Sequence, residues 1–587
     1  MAEYNLIHER IDDIPLLIGL MQHLHTPEII DKHIGNHGHH KGLSNGCLTT
    51  VWLAYILSEG DHRKYSVNDW AVKHQNTLQH LLGQPIRQIE FNDDRLDILL
   101  RRLSHIEAWE AIENDLWQST VTVYDIEMTG VRLDSTTTYG YHTPTEDGLM
   151  QHGYSKDHRP DLPQLKLMAA AAEPSGHLIA SDVLAGHKAD DPLYQPILAR
   201  VRQIVGKSGL LYAGDSKMAS LETRADIVAH NDYYLMPLPL TGETKEHKEA
   251  WVNFAVDVQQ QSLEQIESIQ LIWDEGRMLG SGYEFNRHQS AEVAGQPVEW
   301  VERVHVMRSL SLAQQQQKQL ESQLSNAEKA LLSLTPEPGR GKRQYREESL
   351  FQIAISEVLE RYKVNGLLNV TWQRQEESII RYVGRGRGGA ERPQRTELRV
   401  RYVIIGVHRD EEALQMYRDR LGWSVHVTNI PEERLSLIEA VKHYRGGWSL
   451  ERDFHLVKER PLGISPLFVR RDDQITGLTH LLMLALRVLT LIETQVRIKL
   501  RMTGEQLSGL YEGQPSIQTA RPTGVRLLKA FARCEITLTR VELGDQCFWH
   551  ITPLSSLQEQ ILSYLGLSTS LYGVFCTSPE IIHFRIT

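Results

Sequence analysis

Through the first 118 residues, apolar side chains recur at three- and four-residue spacing, the period of helices with one buried face. Ser44–Ser58 shows it through Leu48, Val51, Trp52, Tyr55 and Ile56, and Asp94–Leu103 shows it again. Pro27 is expected at the first position of an earlier helix, with Thr26 as its N-cap. Near residue 119 the period changes to two. Val121–Asp125 alternates, and Gly130–Asp134 alternates again and ends on an acid. A polar excursion from Ser135 to Pro163 follows. Leu165–Ala172, a Glu-Pro-Ser-Gly turn and His177–Leu184 then read as a hairpin. Asp191–Val205 is helical through Leu193, Ile197, Val201 and Ile204. Leu210–Asp215 is a short strand that also ends on an acid. Met218–His230 is expected as a helix and Tyr233–Leu240 as a strand. Strands followed by alternating helices and strands indicate an α/β fold with a mixed sheet.

From about 241 to 430 the pattern is different. Ser268–Trp273 is strand-like, and Gln314–Leu334 is a long helix with Leu320, Leu324, Ala327, Leu331 and Leu334 at heptad-like spacing. A Pro-Glu-Pro-Gly turn and a helix from Glu347 to Tyr362 complete a helical hairpin. Pro431–Tyr444 is expected as a helix with Pro at its start and Gly446 past its end. From Trp448, Leu450, Phe454 and Val457 form a buried stripe, and Glu451, His455 and Lys458 a polar one. A solvated face accounts for the polar stripe unless other carboxylates meet Glu451. The apolar helix Gly477–Leu500, a Pro522-Thr523-Gly524 loop, a helix at 525–533 and short C-terminal strands follow. The expected domains are 1–118, 119–240, 241–430, 431–500 and 501–587.

A chain of 587 residues is too long for one core. Its 41% hydrophobic and 24% charged content is that of a globular protein. The cysteines Cys47, Cys534, Cys547 and Cys576 are scattered without metal spacing, which suits a reducing cytosol. The polar, early-acidic N-terminus is not expected to be a signal peptide. Leu478–Ile492 is short for a bilayer span, contains Arg487 and reads as a core helix. A net charge of −12 argues against a uniformly basic nucleic-acid binder but leaves room for local basic surfaces. The small helical N-terminal domain is of a kind that often holds DNA. His33, His37, His39 and His40 read as a metal site or a polar loop. Arg381–Arg401, with seven arginines, reads as a phosphate-binding segment or a solvated loop.

Two strands end on acids, Asp134 and Asp215, and a late helix carries Glu451. Side chains leave the packed sheet at strand ends and enter clefts. Three carboxylates brought together repel one another unless a cation sits among them. As hard oxygen ligands they suit Mg²⁺ or Mn²⁺. Two such ions polarise a phosphodiester and activate a water or a 3′-hydroxyl.

The chain resembles the cut-and-paste DDE transposases of bacterial insertion sequences, with an RNase H-like core. Their signature is Tyr, two residues, Arg, three residues, Glu, six residues, Lys. Tyr444, Glu451 and Lys458 occupy those places, and Trp448 and Phe454 match the surroundings. Gly447 stands at the Arg place, with Arg445 two residues early. Arg132-Leu133-Asp134-Ser135-Thr136-Thr137 and Tyr212-Ala213-Gly214-Asp215-Ser216 match the family's first and second acids. The segments 152–164, 186–190 and 53–63 also resemble one group of these enzymes.

The resemblance implies an RNase H-like core with a large insertion before the last acid, a helical N-terminal domain and a small C-terminal domain. It implies cleavage of transposon ends and joining of 3′-hydroxyls to target DNA, with Asp134, Asp215 and Glu451 holding two Mg²⁺, or Mn²⁺ as a substitute. Tyr444, Arg445 and Lys458 would contact phosphates. The implied partners are terminal inverted repeats, target DNA and a second copy of the chain, at the bacterial nucleoid in the cytoplasm. A hairpin route is implied too, with one tryptophan of Trp251, Trp273, Trp300 and Trp372 stacking on a displaced base and Trp300 favoured. The rival readings are a domesticated, non-cleaving DNA-binding protein and a metal-dependent nuclease that never joins.

Overall fold

The structure is a computed structural model that describes residues 4–35, 41–87, 89–239, 243–260, 269–274, 276–339, 341–383, 393–446, 448–543 and 546–573. The chain forms two compact units. The first holds Met1–Met236, Gln289–Trp300 and Val441–Thr587, and the second holds Pro237–His288 and Val301–Ala440.

The first unit opens on a strand, β1 (Tyr4–Arg10), where helix alone was expected. Its partner, the far strand Thr537–Leu543, lies more than 500 residues on, with Tyr4 opposite Leu543. Seven helices follow: α1 (Ile14–His23), α2 (Thr26–Ile34), α3 (Asn45–Glu59), α4 (Lys64–Lys73), α5 (Gln75–Leu82), α6 (Asp93–Leu103) and α7 (Ile106–Tyr124). Thr26 is not the cap of α2. It is buried inside the helix, and His25 precedes it in the left-handed conformation at φ 54°. A Cβ at Gly46 of α3 would stand 1.9 Å from the Pro27 carbonyl, so glycine is what lets α2 and α3 meet. Val121–Tyr124 is the last turn of α7 rather than a strand. Thr120 and Thr122 donate their hydroxyls to the Leu116 and Gln118 carbonyls, which satisfies these side chains within the helix.

The sheet of this unit runs β4-β3-β2-β5-β6, with β2 (Gly130–Tyr139), β3 (Gln164–Glu173), β4 (Leu178–Ala185), β5 (Leu211–Ala213) and β6 (Tyr233–Pro237). β2, β3 and β4 are antiparallel neighbours, while β2, β5 and β6 are parallel. Parallel strands need a crossover. α8 (Tyr194–Val205) supplies one, and α9 (Leu221–Ala229) the next.

The second unit contains α10 (Glu243–Gln260), β7 (Gln270–Asp274), β8 (Arg277–Val293, in part), β9 (Gln296–Ser309, in part), α11 (Leu310–Ser333), α12 (Glu348–Arg361), β10 (Leu368–Tyr382), β11 (Gln394–Arg409), α13 (Glu411–Asp419) and β12 (Trp423–Thr428). Helices α11 and α12 bury Leu320, Leu324, Ala327, Leu331 and Phe351 with Tyr402 and Ile404 of the long β10–β11 ribbon. That ribbon takes up both flanks of the arginine-rich segment, and residues 384–392 lie outside the described ones.

α14 (Leu437–Arg445) leads back into the first unit. It starts six residues after Pro431, because Ser436 and Glu439 cap it reciprocally: each backbone N–H donates to the other's side chain. α15 (Trp448–Lys458) buries Leu450, Phe454 and Val457. α16 (Asp472–Thr503), at 32 residues, is the one described helix long and apolar enough to cross a membrane, yet 89% of its apolar window is buried within the protein. It is the spine of the core, and Gly477 meets α6 so closely that a Cβ would lie 1.9 Å from the Leu100 carbonyl. α17 (Gly524–Ala532), β13 (Thr537–Leu543), β14 (Gln546–Ile551), α18 (Ser556–Tyr564) and α19 (Ser570–Gly573) complete the unit.

Candidate active site

Strand register decides which acids meet. In the parallel pair, Arg132 of β2 lies level with Ala213 of β5. Two residues further along stand Asp134, in the middle of β2, which runs on to Tyr139 instead of ending on the acid, and Asp215, just past the carboxyl end of β5. Their charges interact: burial pushes the Asp134 carboxyl above its ordinary range, and the negative charge of Asp215 pushes it further. The ammonium of Lys156, 3.6 Å from Asp134 Oδ1, opposes the shift. Lys156 also donates to the Ser135 carbonyl at 2.5 Å and to its hydroxyl at 2.9 Å.

Asp215 is held from two sides. Tyr194 of α8 donates its hydroxyl to Oδ1 at 2.6 Å, and the Lys217 N–H donates to the same oxygen at 2.9 Å. Neither Tyr194 nor Lys156 was singled out by name from the sequence, although Lys156 lies within the 152–164 segment. Arg132 was also passed over. It shares a strand face with Asp134, two residues away, and that period was the available signal. Arg132 donates to Glu173 Oε1 at 2.5 Å, and its guanidinium lies 5.7 Å from the Tyr444 ring centroid. His443 Nε2 lies 3.4 Å from Glu173. The end of α14 is thus fastened to β2, which brings Tyr444 to the aspartates. Burial raises the Tyr444 phenol, Arg132 opposes that, and Asp215 and Asp134 add to it.

Lys458 is beside the site in a different way. Its ammonium is bonded to Asp157 Oδ1 at 2.6 Å, and Asp157 in turn accepts from Thr137 of β2 at 3.3 Å. Arg445 closes α14 and is half-buried, and Gly447 lies outside the described residues.

Glu451 is not gathered with the two aspartates. It is exposed in the first turn of α15 and lines a cleft with Arg452, His455, Arg497, Arg501 and Arg521. Among the described residues no three His, Cys, Asp or Glu side chains come together as a metal cage. His33 pairs with Asp115 at 2.8 Å, and His37, His39 and His40 lie outside the described residues.

Trp300 offers no face for stacking. It is 8% exposed and donates its indole N–H to the Tyr234 hydroxyl at 2.9 Å, a core placement that satisfies its polar handle. Trp372 packs edge-on against Phe351 and Tyr402, and Trp251 packs against His247 and Phe285. Trp273 on β7 is 48% exposed.

The family model described as "Transposase DDE domain" matches residues 125–488, and the chain belongs to that family. A "Domain of unknown function (DUF4277)" matches residues 6–114. Among curated proteins none matches. A solved piggyBac transposase synaptic complex with hairpin DNA is 9% identical over 49% of this chain and 60% of that one, with a TM-score of 0.25, too slight a likeness to carry an argument. Members of the DDE family generally use divalent metal ions.

Proposed function

We propose that this protein cleaves the DNA ends of an insertion sequence and joins the freed 3′-hydroxyls to target DNA, on an RNase H-like core. The observation that carries the reading is the approach of Asp134, on β2, to Asp215, just past the end of the parallel neighbour β5, inside the span matched by the transposase family. A five-strand order with three antiparallel and three parallel members sharing β2 supports the RNase H-like assignment.

The donor set fits a hard divalent cation, because such an ion relieves the repulsion that Asp215 exerts on the buried Asp134 carboxylate. Asp134 and Asp215 would hold it, with Glu451 as the third carboxylate and Mg²⁺ or Mn²⁺ as the ions, two in the active complex. When bound, they supply Lewis-acid polarisation of the phosphodiester. The chain's own groups position the substrate. Lys156 neutralises Asp134 before an ion enters, and Tyr194 fixes the orientation of Asp215. Tyr444, Arg445 and Lys458 bind phosphates near the scissile bond, Lys458 by exchanging Asp157 for a phosphate. A hairpin route, a homodimeric synaptic complex and action at the bacterial nucleoid belong to the same proposal. Trp273, the exposed member of its set, takes the stacking role first given to Trp300.

A second reading, a non-cleaving DNA-binding protein on this scaffold, is favoured by the position of Glu451 apart from the aspartates. The test uses duplexes carrying the DNA that flanks the protein's own reading frame, with Mn²⁺ and a target plasmid. Nicked 3′ ends and joined products support the transposase. Binding without nicks supports the second reading, and nicks that never join indicate a nuclease.

A further inference from the structure

The cleft that contains Glu451 has a volume of about 1020 Å³ and is lined by residues from three elements. α15 gives Glu451, Arg452 and His455, the end of α16 gives Arg497 and Arg501 one turn apart, and the segment before α17 gives Arg521. Four guanidiniums face one lining carboxylate. Arg452 and Arg497 share the buried carboxylate of Glu493. Arg501 and Arg521 are exposed, and neither has an ion-pair partner among the described residues. The like charges crowd one another: burial lowers the proton affinity of Arg497, Glu493 opposes that, and Arg452 and Arg521 lower it further. Arg452 and Arg497 are balanced by Glu493 and Asp453, so it is Arg501 and Arg521, with no carboxylate paired to them among the described residues, that make the open side of the cleft complementary to an anion. The rim of the cleft includes Gly446, two residues beyond Tyr444.

We infer that this cleft is a docking surface for the phosphodiester backbone of duplex DNA, gripped by Arg501 and Arg521, and that it guides the duplex along α15 toward Tyr444 and the aspartate pair. The inference rests on the transposase reading and adds the surface that binds the substrate outside the reacting centre. Guanidiniums suit the role because each presents a planar fork of donors to phosphate oxygens. Glu451, standing among them, would be shielded from phosphate repulsion by Arg452.

The test is fluorescence anisotropy of the full chain with a labelled duplex of mixed sequence, from about 50 to 300 mM KCl. Each phosphate contact contributes about 0.9 to the slope of log affinity against log salt, so Arg501→Ala with Arg521→Ala should lower the slope by about two units. Arg501→Ala alone should lower it by about one, and Arg501→Lys with Arg521→Lys should restore most of it. Both side chains are exposed, so thermal melting without DNA should not change. If the parent binds the duplex and the double alanine variant keeps the parental slope, the inference is overturned and the function reading stands. If the parent binds no duplex at low salt, the function reading falls and takes the inference with it. If about 10 mM inorganic phosphate raises the melting temperature through Arg501 and Arg521 while duplex binding ignores both, the cleft holds a free anion and the inference is likewise overturned.

Discussion

Glu113 is fully buried and joins four elements of the first unit. Carried on α7, it accepts from Arg487 of α16 at 2.9 Å, from Arg200 of α8 at 3.2 Å, and from the Ser181 N–H and hydroxyl of β4 at 3.1 and 2.9 Å. Arg487 also donates to the Leu178 and Ile179 carbonyls at 2.5 and 3.0 Å, and Arg200 to Asp182 at 2.5 Å. Burial raises the Glu113 carboxyl, and the Arg487 and Arg200 guanidiniums oppose the shift. Replacing Glu113 with Gln leaves both cations buried with one charge too few. Breaking a buried pair from one side costs about 3–5 kcal/mol, and the lower figure applies here because Asp182 and two carbonyls remain. Unfolding entropy is about 2.1 cal/mol/K per residue, so in a unit of about 400 residues a loss of about 3 kcal/mol lowers the melting temperature by about 4 °C. Differential scanning fluorimetry reads this directly. Glu113→Leu combined with Arg487→Met should recover at least half, because an apolar pair of similar volume replaces a buried ion pair at little cost. A Glu113→Gln variant that melts within about 1 °C of the parent would refute the claim that this clamp holds the sheet, α7 and α16 together.

Asp134→Asn, Asp215→Asn and Glu451→Gln should each abolish DNA cleavage while leaving duplex binding intact, and near-parental cleavage in any one removes that residue from the site. Burial pushes the Asp13 carboxyl, hydrogen-bonded to Ser58, up to about 7. A carboxyl with a raised folded-state value binds its proton more tightly folded than unfolded, so its contribution to stability is lost as pH rises from about 4 through 7. The melting temperature should therefore fall across that window, and Asp13→Asn should flatten the fall; an unchanged profile in the variant contradicts this. Lys458→Ala should weaken binding on every sequence alike and lower the salt slope by about one unit, whereas sequence-dependent loss would indicate base reading. With a pre-cut end, a covalently closed species on a denaturing gel should fade in Trp273→Ala. Joining without any closed species would rule out the hairpin route.

The two acids were legible because Asp134 lies in an alternating run and Asp215 follows a short apolar one, although β2 continues past Asp134 to Tyr139. What alternation cannot supply is register: that Arg132 pairs with Ala213, which sets Asp134 beside the chain leaving β5 toward Asp215, is a property of the sheet. Alternation misled at Val121 and Val123, which form the last turn of α7, with the threonine hydroxyls beside them satisfied one turn back. The strand β1 was missed because its partner lies at the other end of the chain, and short windows carry no such information. The true start of α14 was visible in Ser436-Leu437-Ile438-Glu439, a capping box, but Pro431 drew the boundary forward. The position of Glu451 among arginines depends on α15, α16 and the segment before α17 converging, which no spacing along the chain encodes.

The central claim, that Asp134 and Asp215 form a cation-binding pair that Glu451 completes, is most directly tested by anomalous scattering from crystals grown with Mn²⁺ and a duplex of the flanking ends. The account predicts a peak between the Asp134 and Asp215 carboxylates with Glu451 drawn to it, and no such peak in Asp134→Asn. Bound duplex with manganese elsewhere, or with none between the aspartates, would contradict it.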